Sequence, residues 1–319
     1  MKRFKNIIFI FDPTIDQQVA VEHAKSLARE NIAHITIFSV VKAIPDNKDL
    51  ISTVISPEEL LSLAINAHQE KLDELVTEMK QLGINATAKI MTGTPFIEII
   101  RQVLREKHDL VIITAEGKSG LKERLFGSTS MHLMRKCPCP VWVVKQSENT
   151  KYGRILAAVD VSVEAPDTKQ ELLNPLILQL ASSMALRENS EFHVVQVWSL
   201  FGEVYMEVRG ALSEKAIQNA GKELLHQYAS KLKKLIASVG LNNIDVRKHL
   251  VKRDDTADAI IELVNNTHIE LLVMGTVCRT GIPGFFIGNT AEKVLNEVTC
   301  SVLTVKPHDF VTPITLIEN

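Results

Sequence analysis

Asp109-Leu-Val-Ile-Ile-Thr-Ala-Glu-Gly117 is the stretch that decides the fold, because a run of apolar, mostly β-branched residues leads directly into a small, polar loop. The chain repeats this pattern once, as Glu270-Leu-Leu-Val-Met-Gly-Thr-Val-Cys278. Three landmarks recur at a constant offset of 161 residues: Asp109 and Glu270, Gly127 and Gly288, Cys139 and Cys300. A long self-similar period predicts a duplicated domain, so any function should be sought in both copies.

The apolar run from Leu110 to Ile113 has no alternation, which is typical of a strand buried on both faces of a parallel sheet. In each half, five such strands alternate with four helical periodicities. We therefore predict the α/β class, with two tandem, doubly wound, five-stranded and mostly parallel sheets of Rossmann-like type. The domains are expected at 1–146 and 153–307, joined by a short polar linker and followed by a tail at 308–319.

Periodicity also places the individual elements. In the first half, strands are expected at 6–12, 34–41, 86–92, 109–114 and 141–145, and helices at 17–30, 57–82, 95–107 and 128–135. Thr94 is expected to cap the helix that begins with Pro95. The last strands, 141–145 and 302–305, are apolar edges, so the two domains should pair there around a pseudo-two-fold axis, in the manner of a homodimer.

Composition excludes several classes of function. The chain has 319 residues, 45% of them hydrophobic, and a net charge of −2, which predicts no general attraction to nucleic acid or to an anionic membrane. The apolar run 7–11 is too short for a membrane span or a signal-peptide core, so a cytoplasmic location is expected. Four cysteines in a chain of this length do not form a disulfide framework.

Candidate ligand residues gather at the carboxyl ends of the predicted strands, where doubly wound sheets bind their ligands. Asp12 and Asp160 end the first strand of each half. A loop containing glycine follows the fourth strand, and the next helix then opens with small polar residues whose N–H and hydroxyl groups could donate to phosphate. These residues are Ser128 and Thr129 in the first half, and Asn289 and Thr290 in the second. Each of the four can equally cap its own helix.

At these loops the chain resembles a tandem universal stress protein, close to the type-E members, over both halves. Nucleotide-binding members of that superfamily carry Gly-x2-Gly-x9-Gly-(Ser/Thr) after the fourth strand. The second half keeps this spacing through Gly275 and Gly288, with Cys278 in place of the second glycine and Asn289 in place of Ser/Thr. The first half has Thr114 in place of the first glycine and matches at Gly117, Gly127 and Ser128.

The resemblance implies an adenine nucleotide alpha hydrolase-like fold and ATP as the ligand, accompanied by Mg²⁺. Asp12 or Asp160 would contact the adenine or ribose end. The phosphates would be held by Gly117, Gly127 and Ser128, or by Gly275, Gly288, Asn289 and Thr290. Cys278 stands where the loop should approach a phosphate, and a Cβ there costs about 1 kcal/mol if a positive φ is required. The residues do not rank the two sites.

Other patterns leave alternatives open. The ten histidines form no catalytic-triad pattern along the sequence, so efficient catalysis is not expected and a slow ATPase is the third hypothesis. The segment 198–208 is apolar for a connection, and with Phe285 and Phe286 it predicts either a packed lid or a cavity for an apolar or acyl small molecule. In that second hypothesis the chain is an interaction module with degenerate nucleotide sites. Cys137 and Cys139 suggest either a metal pair or simple Pro-punctuated entry into a strand.

Overall fold

The computed structural model describes residues 3–42, 56–116, 126–161, 168–200, 213–241, 244–276 and 287–316 of the chain. These residues fall into two compact units, which divide between Thr150 and Lys151. Residues 310–316, close to the C-terminus, belong to the first unit, where the Nε of Arg101 donates a hydrogen bond to the carbonyl of Thr315 over 3.2 Å.

The first unit is a five-stranded parallel sheet in the order β3-β2-β1-β4-β5. Its strands are β1 (Asn6–Ile10), β2 (His34–Val41), β3 (Asn85–Thr92), β4 (Leu110–Thr114) and β5 (Val141–Val144). The helices that connect them are α1 (Gln18–Asn31), α2 (Pro57–Gln81), α3 (Pro95–Glu106) and α4 (Ser128–Lys136). The doubly wound arrangement predicted for this half is confirmed.

The second unit repeats the same arrangement, in the order β10-β9-β6-β7-β8. Its strands are β6 (Arg154–Ala158), β7 (Glu191–Trp198), β8 (Val246–Lys252), β9 (Leu271–Gly275) and β10 (Ser301–Val305). Its described helices are α5 (Thr168–Glu188), α6 (Glu214–Ser238), α7 (Thr256–Asn266) and α8 (Asn289–Glu297). The duplicated α/β fold is therefore confirmed in this half as well.

The central strands are apolar without alternation because both of their faces are covered. Ile7, Ile8 and Phe9 in β1 are all fully buried, although neighbouring side chains on a strand point to opposite faces. The same holds for Leu271 and Leu272 in β9. Burial of each such side chain stabilises the fold by about 1.5–3 kcal/mol, so these runs favour a sheet with helices on both sides.

The repeated acidic landmark has a structural role. The carboxylate of Asp109 accepts hydrogen bonds from the backbone N–H groups of Lys5, at 2.6 Å, and Asn6, at 3.1 Å. Glu270 does the same for Gly153 and Arg154. In both units an acid just before the fourth strand thus fixes the start of the first strand. Thr94 does occupy the N-cap position of α3, but its side chain makes no capping hydrogen bond, so the predicted cap is wrong in that detail.

Candidate functional site

A cavity of about 260 Å³ lies in the first unit, where β1, β2 and β4 end. At this edge the strand order reverses, with β2 on one side of β1 and β4 on the other, and doubly wound sheets bind ligands at such a switch point. Val41, Pro95 and Ile99 contribute apolar lining. The polar residues that line the cavity are Asp12, Thr14, Gln17, Ser39, Lys42, His68, Thr114, Glu116 and Thr129.

Gln17 fixes the inner side of this cavity. Its Oε1 accepts a hydrogen bond from the backbone N–H of Asp12 at 2.8 Å. Its Nε2 donates to the carbonyl of Ile10 and to the Oγ1 of Thr114, both at 3.1 Å. Because Gln17 is 6% exposed, these bonds form away from water, and they tie the end of β1 to the end of β4.

Asp12 follows β1 and forms a local turn over the cavity. Its Oδ1 accepts hydrogen bonds from the N–H of Thr14 at 2.9 Å and from the Thr14 hydroxyl at 2.6 Å. An Asx turn of this kind holds the carboxylate in one orientation. The Oδ2 atom takes no part in the turn, so Asp12 offers a fixed acceptor to a ligand.

Ser39 and His68 form a second polar group on the cavity wall. The Oγ of Ser39, at the end of β2, lies 2.8 Å from the Nδ1 of His68 in α2. Burial lowers the pKa of His68 below its ordinary value, and the Asp12 carboxylate opposes this shift only in part. His68 is therefore neutral near pH 7, and in the tautomer with its proton on Nε2 its Nδ1 accepts a hydrogen bond from the Ser39 hydroxyl. No spacing in the sequence predicted this contact, which spans 29 residues.

The start of α4 adjoins the cavity through Thr129. Gly127 is the N-cap residue, and no side chain within the described part of the chain caps this helix. A Cβ built on Gly127 would lie 2.5 Å from the Cδ of Glu116, so the Glu116 carboxyl group packs directly against the glycine. A carboxylate is thus placed at the positive end of the α4 dipole, close to the N–H groups that would face a phosphate.

The first-glycine position of the loop makes packing contacts in both units. Thr114 is 2% exposed, and its Oγ1 accepts the hydrogen bond from Gln17. At the equivalent Gly275, a Cβ would lie 2.6 Å from the Cδ2 of Leu173 in α5. Both positions therefore face the helix that follows the first strand. Thr114 also lines the cavity.

In the second unit, Asn174 takes the place of Gln17. Its Oδ1 accepts from the N–H of Asp160 at 3.0 Å, and its Nδ2 donates to the Asp160 carbonyl at 2.8 Å. The Oε1 of Gln196 accepts a further hydrogen bond from the N–H of Val161 at 2.7 Å. The backbone around the strand-one aspartate is held similarly in both copies by side chains of different length.

The start of α8 in the second unit corresponds to the start of α4 in the first. Gly288 is the N-cap of α8, and its N–H donates to the carbonyl of Thr276 at 3.1 Å. Asn289 and Thr290 are exposed in the first turn. Two candidates from the sequence, Gly117 and Cys278, lie outside the described residues. Their predicted roles at a phosphate therefore stay predictions.

Most of the apolar segment 198–208, together with Phe285 and Phe286, also lies outside the described residues. Trp198 itself is 7% exposed, and its ring centroid lies 6.3 Å from that of Tyr228 in α6. The Nζ of Lys252 stands 5.8 Å from the centre of the Trp198 ring. These contacts are those of a packed side chain, and the predicted apolar ligand stays a prediction.

Two further observations limit the chemistry of the described residues. No three His, Cys, Asp or Glu side chains among them come together as a group that could hold a metal ion. None of the helices that the structure describes is both long and apolar enough to cross a membrane.

Comparison with known proteins identifies the class to which this duplicated fold belongs. The model of the universal stress protein family matches residues 3–145 and again residues 151–306. The chain therefore belongs to the universal stress protein family and carries two copies of its domain. The resemblance seen in the sequence is confirmed.

Relatives with the same tandem length cover nearly the whole chain. It is 29% identical over 325 residues to universal stress protein E of Salmonella typhi, covering 99% of this chain and 98% of that protein. It is 28% identical over 324 residues to universal stress protein E of Escherichia coli strain K12, with coverage of 99% and 98%.

Solved structures show the same fold at lower identity. A functionally unknown protein from Pseudomonas aeruginosa PAO1 superposes with a TM-score of 0.73 at 22% identity, covering 97% of this chain and 94% of that one. A universal stress protein from Archaeoglobus fulgidus DSM 4304 superposes with a TM-score of 0.65 at 18% identity, covering 94% and 98%.

Proposed function

We propose that this chain is a stress-response protein that acts by binding a ligand, and that an adenine nucleotide occupies the cavity of the first unit. The observation that carries the proposal is the position of the cavity. It lies at the switch point of the sheet, with the fixed Asp12 carboxylate on one side and the start of α4 on the other. A nucleotide site requires a hydrogen-bond acceptor for the sugar or base and a set of N–H donors for the phosphates. Asp12 would supply the acceptor, and the start of α4 would supply the donors.

The volume and lining suggest how the nucleotide would lie. A cavity of about 260 Å³ is close to the lower limit of about 300 Å³ for small-molecule sites and suits the nucleoside part. The apolar side chains of Val41, Pro95 and Ile99 would contact the base. Asp12 would accept a hydrogen bond from a ribose hydroxyl or from the adenine amino group. The phosphates would then extend toward Ser128 and Thr129.

Magnesium would enter with ATP rather than bind alone. Mg²⁺ at nucleotide sites is held by one or two carboxylates together with phosphate oxygens. Asp12 and Glu116 supply carboxylates to the cavity, which fits that requirement. Gly117 and Gly127 belong to the same proposed phosphate site.

The second unit is the weaker candidate within this proposal. The N–H of Asp160 is bonded by an amide side chain, as that of Asp12 is, and Gly288 precedes a helix that begins with Asn289 and Thr290, which would be the phosphate site. However, the space beside Gly275 is taken by Leu173, so that glycine does not leave room for a ligand.

A matched pair of isosteric variants tests the proposal. Isothermal titration of ATP and adenosine into the wild-type chain, with Mg²⁺ present, should give saturable binding. Asp12→Asn removes the proposed acceptor charge and should weaken binding by about tenfold, or 1.4 kcal/mol. Asp160→Asn makes the same change in the second unit and should leave binding nearly unchanged.

Three results would contradict this assignment. If neither ATP nor adenosine binds the wild-type chain, the nucleotide proposal is wrong. If Asp160→Asn weakens binding and Asp12→Asn does not, the site is in the second unit. If the bound samples release inorganic phosphate at a steady rate, the chain is a slow ATPase and not only a binding protein.

A further inference from the structure

Two cysteines between α4 and β5 form a close pair that the nucleotide proposal does not use. The Sγ atoms of Cys137 and Cys139 lie 3.6 Å apart, in van der Waals contact. Cys137 is fully buried, and Cys139 is 9% exposed. The pair therefore has a fixed environment and does not consist of two mobile surface thiols.

The backbone holds this pair from both sides. Cys137 follows the last residue of α4 with φ −69° and ψ 134°, and its N–H donates to the carbonyl of Leu133 at 2.8 Å. Beyond Cys139, the carbonyl of Pro140 accepts a hydrogen bond from the N–H of Val111 in β4 at 3.0 Å. Pro138 and Pro140 also restrict the chain on either side of Cys139. The short distance between the sulfurs is thus built into the connection.

The second unit provides an internal comparison for this pair. Val298 stands in the place of Cys137 and has nearly the same backbone, with φ −70° and ψ 142°, and its N–H donates to Val294 at 2.9 Å. Cys300 stands in the place of Cys139 and is equally buried, at 6% exposure. The same backbone conformation at the end of the helix therefore precedes one thiol in the second unit and is part of a pair of thiols in the first.

A structural metal does not account for the pair. Zinc in structural sites takes four ligands, and no group of three or more candidate ligands is present among the residues that the structure describes. Two thiols whose sulfurs are in contact are instead close enough to react with each other, and an S–S bond would shorten their separation to about 2.05 Å.

We propose that Cys137 and Cys139 are a redox-active dithiol that closes reversibly to a disulfide. With a peroxide as oxidant, one thiolate attacks an oxygen, the O–O bond breaks, and a sulfenic acid and water form. The second thiol then attacks that sulfur, the S–O bond breaks, and a second water leaves. Two thiols thus lose two electrons and two protons, and one peroxide becomes two waters. An external dithiol reverses the reaction by exchange.

The proposed site is a modification site, and it does not depend on a bound nucleotide. It adjoins the C-terminal end of α4, whose N-terminal end adjoins the cavity. Closure therefore places a covalent constraint on the helix that borders the candidate ligand site.

The test compares wild-type chain, Cys137→Val and Val298→Cys. Valine is the residue that the second unit uses at this position, so Cys137→Val should fold, and the melting temperature of each variant checks this. Each protein is treated with diamide, an azo compound that accepts two electrons and two protons. It is then unfolded and alkylated with N-ethylmaleimide, and its mass and peptides are measured.

We expect oxidised wild-type chain to alkylate at two of its four cysteines, with residues 137 and 139 bridged and two hydrogen masses lost. During the same treatment, Cys137→Val should lose thiols more slowly than wild-type chain, by about tenfold or more. All three of its cysteines should therefore still be alkylated. Val298→Cys should form a second bridge to Cys300, because residue 298 has nearly the same backbone conformation as Cys137. Thr299 and Ser301 stand in place of Pro138 and Pro140, so this bridge would form without the prolines. Dithiothreitol should restore every thiol.

The proposal is overturned if wild-type chain alkylates at all four cysteines after oxidation. It is also overturned if peptide mapping shows either residue bridged to Cys278, to Cys300 or to another chain. If wild-type chain forms the disulfide and the folded Val298→Cys variant does not, the backbone conformation that residues 137 and 298 share is not what brings the two sulfurs together.

Discussion

The carboxyl group of Glu116 lies against the α-carbon of Gly127, so that a Cβ on the glycine would be 2.5 Å from the Glu116 Cδ. The first copy of the domain thus carries its own anion at the start of α4, at the edge of the cavity. In the second copy the equivalent position holds valine, at residue 277. An incoming phosphate group would have to approach this carboxylate.

In the absence of Mg²⁺, Glu116→Gln should therefore strengthen binding of ATP by about tenfold, because it removes a like charge from the path of the phosphates. Adenosine has no phosphate, and its affinity should change little. Titration of both ligands into both proteins separates the two effects. An equal gain for adenosine and ATP would show that Glu116 acts through the shape of the cavity and not through its charge.

Gly275 and Leu173 should be energetically coupled, because the leucine occupies the space of the missing Cβ. Gly275→Ala should lower the free energy of unfolding by about 1–2 kcal/mol through overpacking, and Leu173→Ala should lower it by about 2–5 kcal/mol. The double variant should lose about 1 kcal/mol less than the two single losses combined, as measured by urea unfolding. Simple additivity would mean that the contact does not restrict this position.

Gln17 should be required for the stability of the first unit. Gln17→Leu keeps the size of the side chain but leaves the partly buried N–H of Asp12 and the buried carbonyl of Ile10 without Gln17 as their partner. Such a loss costs about 1–3 kcal/mol, which chemical denaturation can measure. Exposed Gln18→Leu is a matched control on the same helix. A variant as stable as wild type would show that water replaces Gln17 at no cost.

The sequence predicted the fold well because the determinants of the fold are local. The apolar runs that form β1, β4 and β9 are continuous, and their ends were predicted within about two residues. Gly127 and Gly288 were correctly placed before a helix, since a glycine followed by small polar residues is a local signal of a helix start.

The candidate site was only partly predictable, because its contacts join distant parts of the chain. Ser39 and His68 meet because a strand and the next helix pack together, and no spacing along the chain indicates that contact. Gln17 and Asn174 perform the same task with different side chains, so comparison of the two halves did not reveal it. Gly275 and Leu173 are likewise far apart in the sequence, and the spacing of the loop does not indicate their contact.

Ile32 is an unfavourable residue at the end of α1. Its φ of 51° lies in the left-handed region, which is unfavourable for a β-branched residue, and its side chain is 73% exposed. The strained backbone therefore destabilises the fold, and burial of the side chain offsets little of that cost. Ile32→Gly should raise the free energy of unfolding by about 1 kcal/mol. Leu82 ends α2 with φ −82° and is 49% exposed, so Leu82→Gly should give no such gain. Thermal unfolding of both variants distinguishes a conformational effect from a general effect of removing exposed apolar surface.

His193 and His249 should make the chain less stable in acid. The Nδ1 of His193 lies 3.0 Å from the Nε2 of His249, so one ring must donate and the other must accept. Burial lowers the pKa of both rings; Arg247 adds to the shift in each, and the Glu191 carboxylate opposes it at His193. Above a pH of about 6.5, the ordinary histidine pKa, both rings are neutral and their contribution to stability is complete.

As the pH falls below about 6.5, the unfolded chain binds protons that the folded pair resists, so the free energy of unfolding must fall. Urea unfolding at a series of pH values between neutral and mildly acidic should show this slope. His249→Gln keeps a partner for His193 without a second imidazole and should reduce the slope. His226→Gln, on the exposed face of α6, controls for the loss of any one histidine. If stability is constant on acidification, or if both variants behave alike, the His193–His249 contact is not the source of the acid sensitivity.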